Sequence, residues 1–197
     1  MKRLAPVLAC LIALAAAGVV HAKDINGTNR ADRIAGTDRS DRINGRGGND
    51  RIDGRRGSDA LYGLGGADRV SGSEGNDVIR GGTQNDTLLG GNDDDRIFGE
   101  QGDDKVVGGD RDDELDGGDG NDRLTGGPGV DLVAGEGGDD RVNGGLGEDD
   151  LYGGAGNDTI QARDGGEDTI DCGDGEDTVV VDDAEDGVYD CENVVLP

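Results

Sequence analysis

An aspartate returns every ninth residue, without a miss, from Asp32 to Asp158. Two residues after each stands an aliphatic, from Ile34, Ile43 and Ile52 through to Ile160. Two residues after each aliphatic stands glycine, from Gly36 to Gly153, failing only at Ala162. Fifteen units in register confine the chain to a repeat architecture, in which each unit buries its apolar residue only against its neighbours.

The stretch 153–160, GGAGNDTI, shows how one unit divides. With Gly153 as position 1, Asp158 is position 6 and Ile160 position 8. Glycine and an Asn-Asp pair favour turns, so the first six positions read as loop. The last three, Thr159, Ile160 and Gln161, read as a short strand with one buried and two exposed side chains. Two units per coil would give an 18-residue turn and two parallel sheets facing across a thin aliphatic core. One core residue per strand does not offset the ordering entropy of so glycine-rich a chain.

The aspartates point to what makes up the difference. Stacked turns place them about 4.8 Å apart, where bare carboxylates repel. A hard cation with many oxygen ligands removes that repulsion, and calcium accepts carboxylates and backbone carbonyls in flexible numbers. Composition alone, with 41 Gly, 2% aromatic residues and a net charge of −26, would read as disorder. The period decides otherwise, because a disordered chain has no reason to keep an aliphatic in every ninth place.

Units such as GGLGEDDLY, GGAGNDTIQ and GGDGNDRLT resemble the RTX, or haemolysin-type, calcium-binding nonapeptide repeat, G-G-x-G-x-D-x-aliphatic-x. The resemblance covers 24–160 and implies an all-β fold, a parallel β-roll solenoid of about 15 nonapeptide repeats with two per coil. It also implies calcium ions between consecutive loops, held by loop carbonyls and by position-6 carboxylates. Those are Asp50, Asp59, Asp68, Asp77, Asp86, Asp95, Asp104, Asp113, Asp122, Asp131, Asp140, Asp149 and Asp158. Asp32 and Asp41 stand apart, since Arg30 and Arg39 put positive charge at position 4 of their loops. Gln84, Asp93 and Arg111 also replace the position-4 glycine. Alternate loops share an edge, which caps the number of inter-loop gaps at thirteen.

Residues 1–22 read as an export signal: Lys2 and Arg3, an apolar run from Leu4 to Val20, and a small-residue ending at Ala22. The competing readings are a membrane anchor, marginal at this length, and a lipoprotein signal using Cys10. With export, the chain is secreted or at the cell surface, has no membrane span after cleavage, and carries a net charge of −28 against −26 before it. Residues 23–160 form the roll. Residues 161–197, where the rhythm stretches to ten and then weakens, form a C-terminal cap. Cys172 and Cys191 lie 19 residues apart, one more than a coil, which brings them within disulfide range. In an exported protein the pair is oxidised and closes a loop worth about 3 kcal/mol.

Nothing in this pattern points to catalysis. Cleavage removes the only histidine, and with it any Ser-His or Cys-His pair and any His general base. The exposed strand positions differ between the two sheets. One column reads Arg33, Arg51, Arg69, Thr87, Lys105, Arg123, Arg141, Thr159; the facing sheet scatters Tyr62, Phe98 and Tyr152. The bland reading is that the arginines balance local acid; the sharper one is contact with an anionic envelope polymer or a protein partner. The overall charge argues against nucleic acid.

Overall fold

The computed structural model describes residues 23–164, 166–182 and 187–196. The export-signal reading of 1–22 lies outside the described residues. Within them the chain winds as a β-solenoid. Twenty strands alternate between two parallel ten-stranded sheets, odd strands in one and even strands in the other. The first sheet contains the strands that begin at Asp24, Arg42, Ala60, Val78, Arg96, Glu114, Leu132, Asp150, Thr169 and Gly187. The second contains those that begin at Arg33, Arg51, Arg69, Thr87, Lys105, Arg123, Arg141, Thr159, Thr178 and Asn193. Through the repeats each residue pairs with the one 18 positions on, as Ile43 with Leu61 and Ile52 with Val70, so one coil is two units.

The position-8 aliphatics form the core. From Ile43 to Ile160 they are at most 1% exposed, and the two sheets meet through this single line of side chains. Strands are longer than the glycine pattern predicts. From Arg42–Gly47 to Asp150–Ala155 each has six residues, positions 7 to 9 and then 1 to 3, leaving only positions 4 to 6 as turn. The expected six-residue loop and three-residue strand are therefore corrected. Pairing resumes beyond position 1, across a kink at position 2, where Arg46, Arg55 and Leu64 take left-handed φ of 79°, 81° and 76°. Glycine is common there because it adopts that conformation at no steric cost.

The two ends are built differently from the middle. Past Asp158 the register slips by one residue, Asp150 pairing with Thr169, and both sheets then continue. In these last coils Ala162, Cys172 and Val181 occupy position 1 in place of glycine, and all three join the buried cluster. The core thus widens from one side chain per strand to two. Cys172 and Cys191 are disulfide-bonded with their Cα atoms 5.1 Å apart, tying the last coil to the one beneath it.

Candidate metal centre

Each position-6 aspartate stands immediately before a strand and turns its side chain inward, between the sheets. From Asp41 to Asp158 none is more than 4% exposed. One carboxylate oxygen is committed to the backbone. The amide N–H of Asp50 donates to Asp68 Oδ1 at 2.7 Å, that of Asp68 to Asp86 Oδ1 at 2.7 Å, and so on up the stack. The same ladder climbs the other edge, from Asp41 to Asp59 at 2.6 Å and onward to Asp168. Glu192 ends the first ladder by accepting the N–H of Asp177 at 2.9 Å. Aspartate suits the place because its carboxylate is short enough to reach the next turn's amide and still has an oxygen to spare.

That spare oxygen is the decisive feature. Of the thirteen aspartates from Asp50 to Asp158, all but Asp149 bury an Oδ2 with no hydrogen-bond partner among the described residues. Nor does Oδ2 face empty space. A Cβ built on Gly45 would stand 2.5 Å from Asp50 Oδ2 and 2.9 Å from the Gly63 carbonyl oxygen of the next coil. On Gly81 it would meet Asp86 Oδ2 at 2.5 Å and the Gly99 carbonyl at 2.8 Å. Position 1 is glycine because a carboxylate oxygen and a carbonyl oxygen converge there. A buried carboxylate oxygen without a donor, in space it shares with a carbonyl oxygen, is a standing cost.

The carboxyls respond as buried, unpaired groups do. Burial pushes Asp50 up to about 6 and Asp77 up to about 7, against the bonding of one backbone amide, which pulls each down. Asp113 reaches about 8; burial is again the main cause, and the charges of Asp95 and Asp131 add to it. Burial is the first cause at all thirteen.

Asp32 and Asp41 are satisfied without help. Thr28 donates both its amide N–H, at 2.7 Å, and its hydroxyl, at 2.8 Å, to Asp32 Oδ2. Thr37 does the same for Asp41, at 2.6 and 2.9 Å. These threonines sit at position 2, and neither they nor Arg30 and Arg39 at position 4 share the left-handed backbone of later loops. Gln84, Asp93 and Arg111 do keep it, at 75°, 74° and 84°, so the three other divergent loops retain the common shape. The threonine device was missed in the sequence, although Thr four residues before Asp in just the first two units was its signal. Replacing Thr37 with Val should cost about 1 kcal/mol, the worth of one hydrogen bond to a buried acceptor. Urea midpoints at two calcium concentrations that both support the fold should fall equally, because no metal takes part.

A metal held here would be bound through oxygen alone. Among the described residues no three carboxylate, thiolate or imidazole side chains converge, which leaves one or two aspartates and backbone carbonyls. Sulfur- and imidazole-seeking metals gain nothing from that set, whereas calcium accepts it. The orphaned Oδ2 atoms and the carbonyls beside them fit such an ion. The profile of the RTX calcium-binding nonapeptide repeat (4 copies) matches residues 26–61, 62–97, 71–106, 98–133, 107–142 and 125–160. The chain belongs to that family. Repeats of this family bind calcium, so the RTX roll described here is a calcium-binding structural unit. Among curated proteins none matches the chain.

Proposed function

We propose that this RTX chain is a secreted structural module whose folding is driven by many calcium ions bound along its two edges. One observation carries the reading: a buried carboxylate oxygen repeats without a donor in turn after turn. Asp50 to Asp158 are the side-chain ligands, shared between successive turns and completed by carbonyls. Thr28 and Thr37 at one end, and the filled interior at Ala162, Cys172 and Val181 at the other, close the stack without metal. Residues 161–197 serve as the cap.

The activity is binding coupled to folding rather than catalysis. A metal site that exists only in the folded chain turns binding free energy into folding free energy. Where calcium is scarce, as in the cytosol, the chain stays unfolded and fit for export through the segment 1–22; outside, it folds. Among the described residues no helix is long and apolar enough to cross a membrane. A second reading, contact with an envelope polymer or protein partner through an exposed sheet face, is favoured by the unpaired cations of the second sheet.

The test is far-UV circular dichroism of 23–197 titrated with calcium from chelator upward, with magnesium as control. A cooperative coil-to-β transition with calcium alone is expected. Full β signal in chelator at neutral pH, or an equal response to magnesium, would overturn the reading.

A further inference from the structure

The second sheet carries a straight row of cations. Strand register stacks Arg33 on Arg51, Arg51 on Arg69, Lys105 on Arg123 and Arg123 on Arg141, with Thr87 the one neutral rung between. Rungs of a sheet are about 4.8 Å apart, so the row runs about 29 Å along the solenoid axis. All six cations are exposed, and none forms an ion pair among the described residues. Like charges on neighbouring rungs repel, and acidic residues are abundant enough in this chain to have paired them.

The first sheet treats its arginines otherwise. Arg80 pairs with Glu100 at 3.0 Å and lies 4.3 Å over the Phe98 ring. Arg96 pairs with Glu114 at 2.8 Å, and Arg42 lies 4.9 Å over Tyr62. Arg42, Arg80 and Arg96 of the first sheet thus have an acid or a ring as partner, and on the second sheet Arg56 pairs with Glu74 at 2.8 Å, whereas the position-7 row has no ion pair among the described residues. Beside the unpaired row, the position-9 column holds one acid, Asp53, among eight rungs from Ala35 to Gln161. Further across, Gly91, Gly109, Gly127 and Gly145 leave the sheet surface bare.

We propose that this row is a binding track for a linear acidic polysaccharide lying along the solenoid axis across the strands. The row is one side chain wide, which fits a thread rather than a surface. Guanidinium forks suit the carboxylate or sulfate groups of such a chain. The glycine floor beside the later rungs, past Arg55 and Ser73 of the same column, admits sugar rings. A nucleic acid strand would look for aromatic side chains on which to stack its bases, and Tyr62, Phe98 and Tyr152 all lie on the other sheet. The track rests on the reading of an exposed face as a contact surface, and on the calcium-loaded roll that lines up its rungs.

The test measures binding of the calcium-loaded chain to immobilised dextran sulfate and hyaluronate, with neutral dextran and oligo(dT) as controls. Circular dichroism is recorded on the same samples. Binding to the sulfated or the carboxylated polymer is expected, and the two arms tell which group is recognised. The triple variant R51Q/R69Q/R123Q should bind roughly tenfold or more weakly, with the log–log salt slope lower by about 1 per cation removed. The variant R42Q/R80Q/R96Q loses the same charge from the other sheet and should bind as the parent does. Equal loss in both variants, equal binding to oligo(dT), or no binding by a chain with full β signal would overturn the track. A chain without β signal in calcium would instead overturn the calcium reading, and the track with it.

Discussion

With calcium chelated, Asp86→Asn is expected to make the roll easier to fold; with calcium present, the same change is expected to make it harder. The reversal follows from the two carboxylate oxygens. Asp86 Oδ1 accepts the Asp68 amide at 2.7 Å, and an asparagine oxygen does so equally well. Oδ2 is buried without a partner, beside the Gly99 carbonyl. An asparagine Nδ2 in that place becomes a donor facing an acceptor, and the buried charge is gone. Without metal, the variant therefore removes a cost of about 1–3 kcal/mol and gains a hydrogen bond. With metal, the turn loses its charged ligand, and a tenfold weaker site corresponds to about 1.4 kcal/mol. Trimethylamine N-oxide, which drives chains to fold by exclusion from their surface, gives the first arm: its midpoint in chelator should fall for the variant. Urea in saturating calcium gives the second, where the midpoint should also fall. A variant that loses stability in both would show that Oδ2 has a donor in the metal-free roll.

Much of this arrangement was legible in the sequence because period nine, doubled to eighteen, puts every column in place. The aspartate stacks, the single-file core from Ile43 to Ile160, the basic row and the Cys172–Cys191 bridge all follow from counting residues. What counting could not supply was the direction of a side chain. Glycine at positions 1 and 2 marks a turn in most chains, yet here Gly45 is free of a Cβ because Asp50 Oδ2 and the Gly63 carbonyl occupy that space, within a strand. Nor could spacing show that each carboxylate spends one oxygen on the amide one coil below. That bond makes the stacks a hydrogen-bonded ladder even before any cation is considered. The threonine caps were hidden for the same reason. Thr28 and Thr37 differ from Arg46 and Leu64 at position 2 in lacking the left-handed backbone and in turning an amide and a hydroxyl onto the aspartate.

Acid should stand in for calcium. In chelator at pH 8 the chain is expected to be unfolded, and lowering the pH to about 5 should restore β signal without metal. The sign follows from the carboxyls of the folded chain. Asp59, Asp86 and Asp113 lie at about 6, 7 and 8, above the value of 3.8 they have when unfolded. Between 3.8 and these raised values the folded chain binds more protons than the unfolded one, so stability falls as pH rises across that window. The contribution is fully present below 3.8 and lost once pH passes the folded values. A proton on Oδ2 acts as the asparagine does: it removes the buried charge and supplies a donor toward the neighbouring carbonyl. The groups around Asp113 reinforce the shift, since Asp95, Asp131 and Asp94 are all acids. Protonation also lightens a chain that stands at −26 and repels itself when compact. The measurement is ellipticity against pH in chelator, repeated with Asp59, Asp86 and Asp113 all changed to Asn. The triple variant should hold its β signal to higher pH than the parent, because three of the groups that must lose protons are gone. A chelated parent that stays unfolded from pH 8 down to 5 would mean that a cation does more here than cancel buried charge.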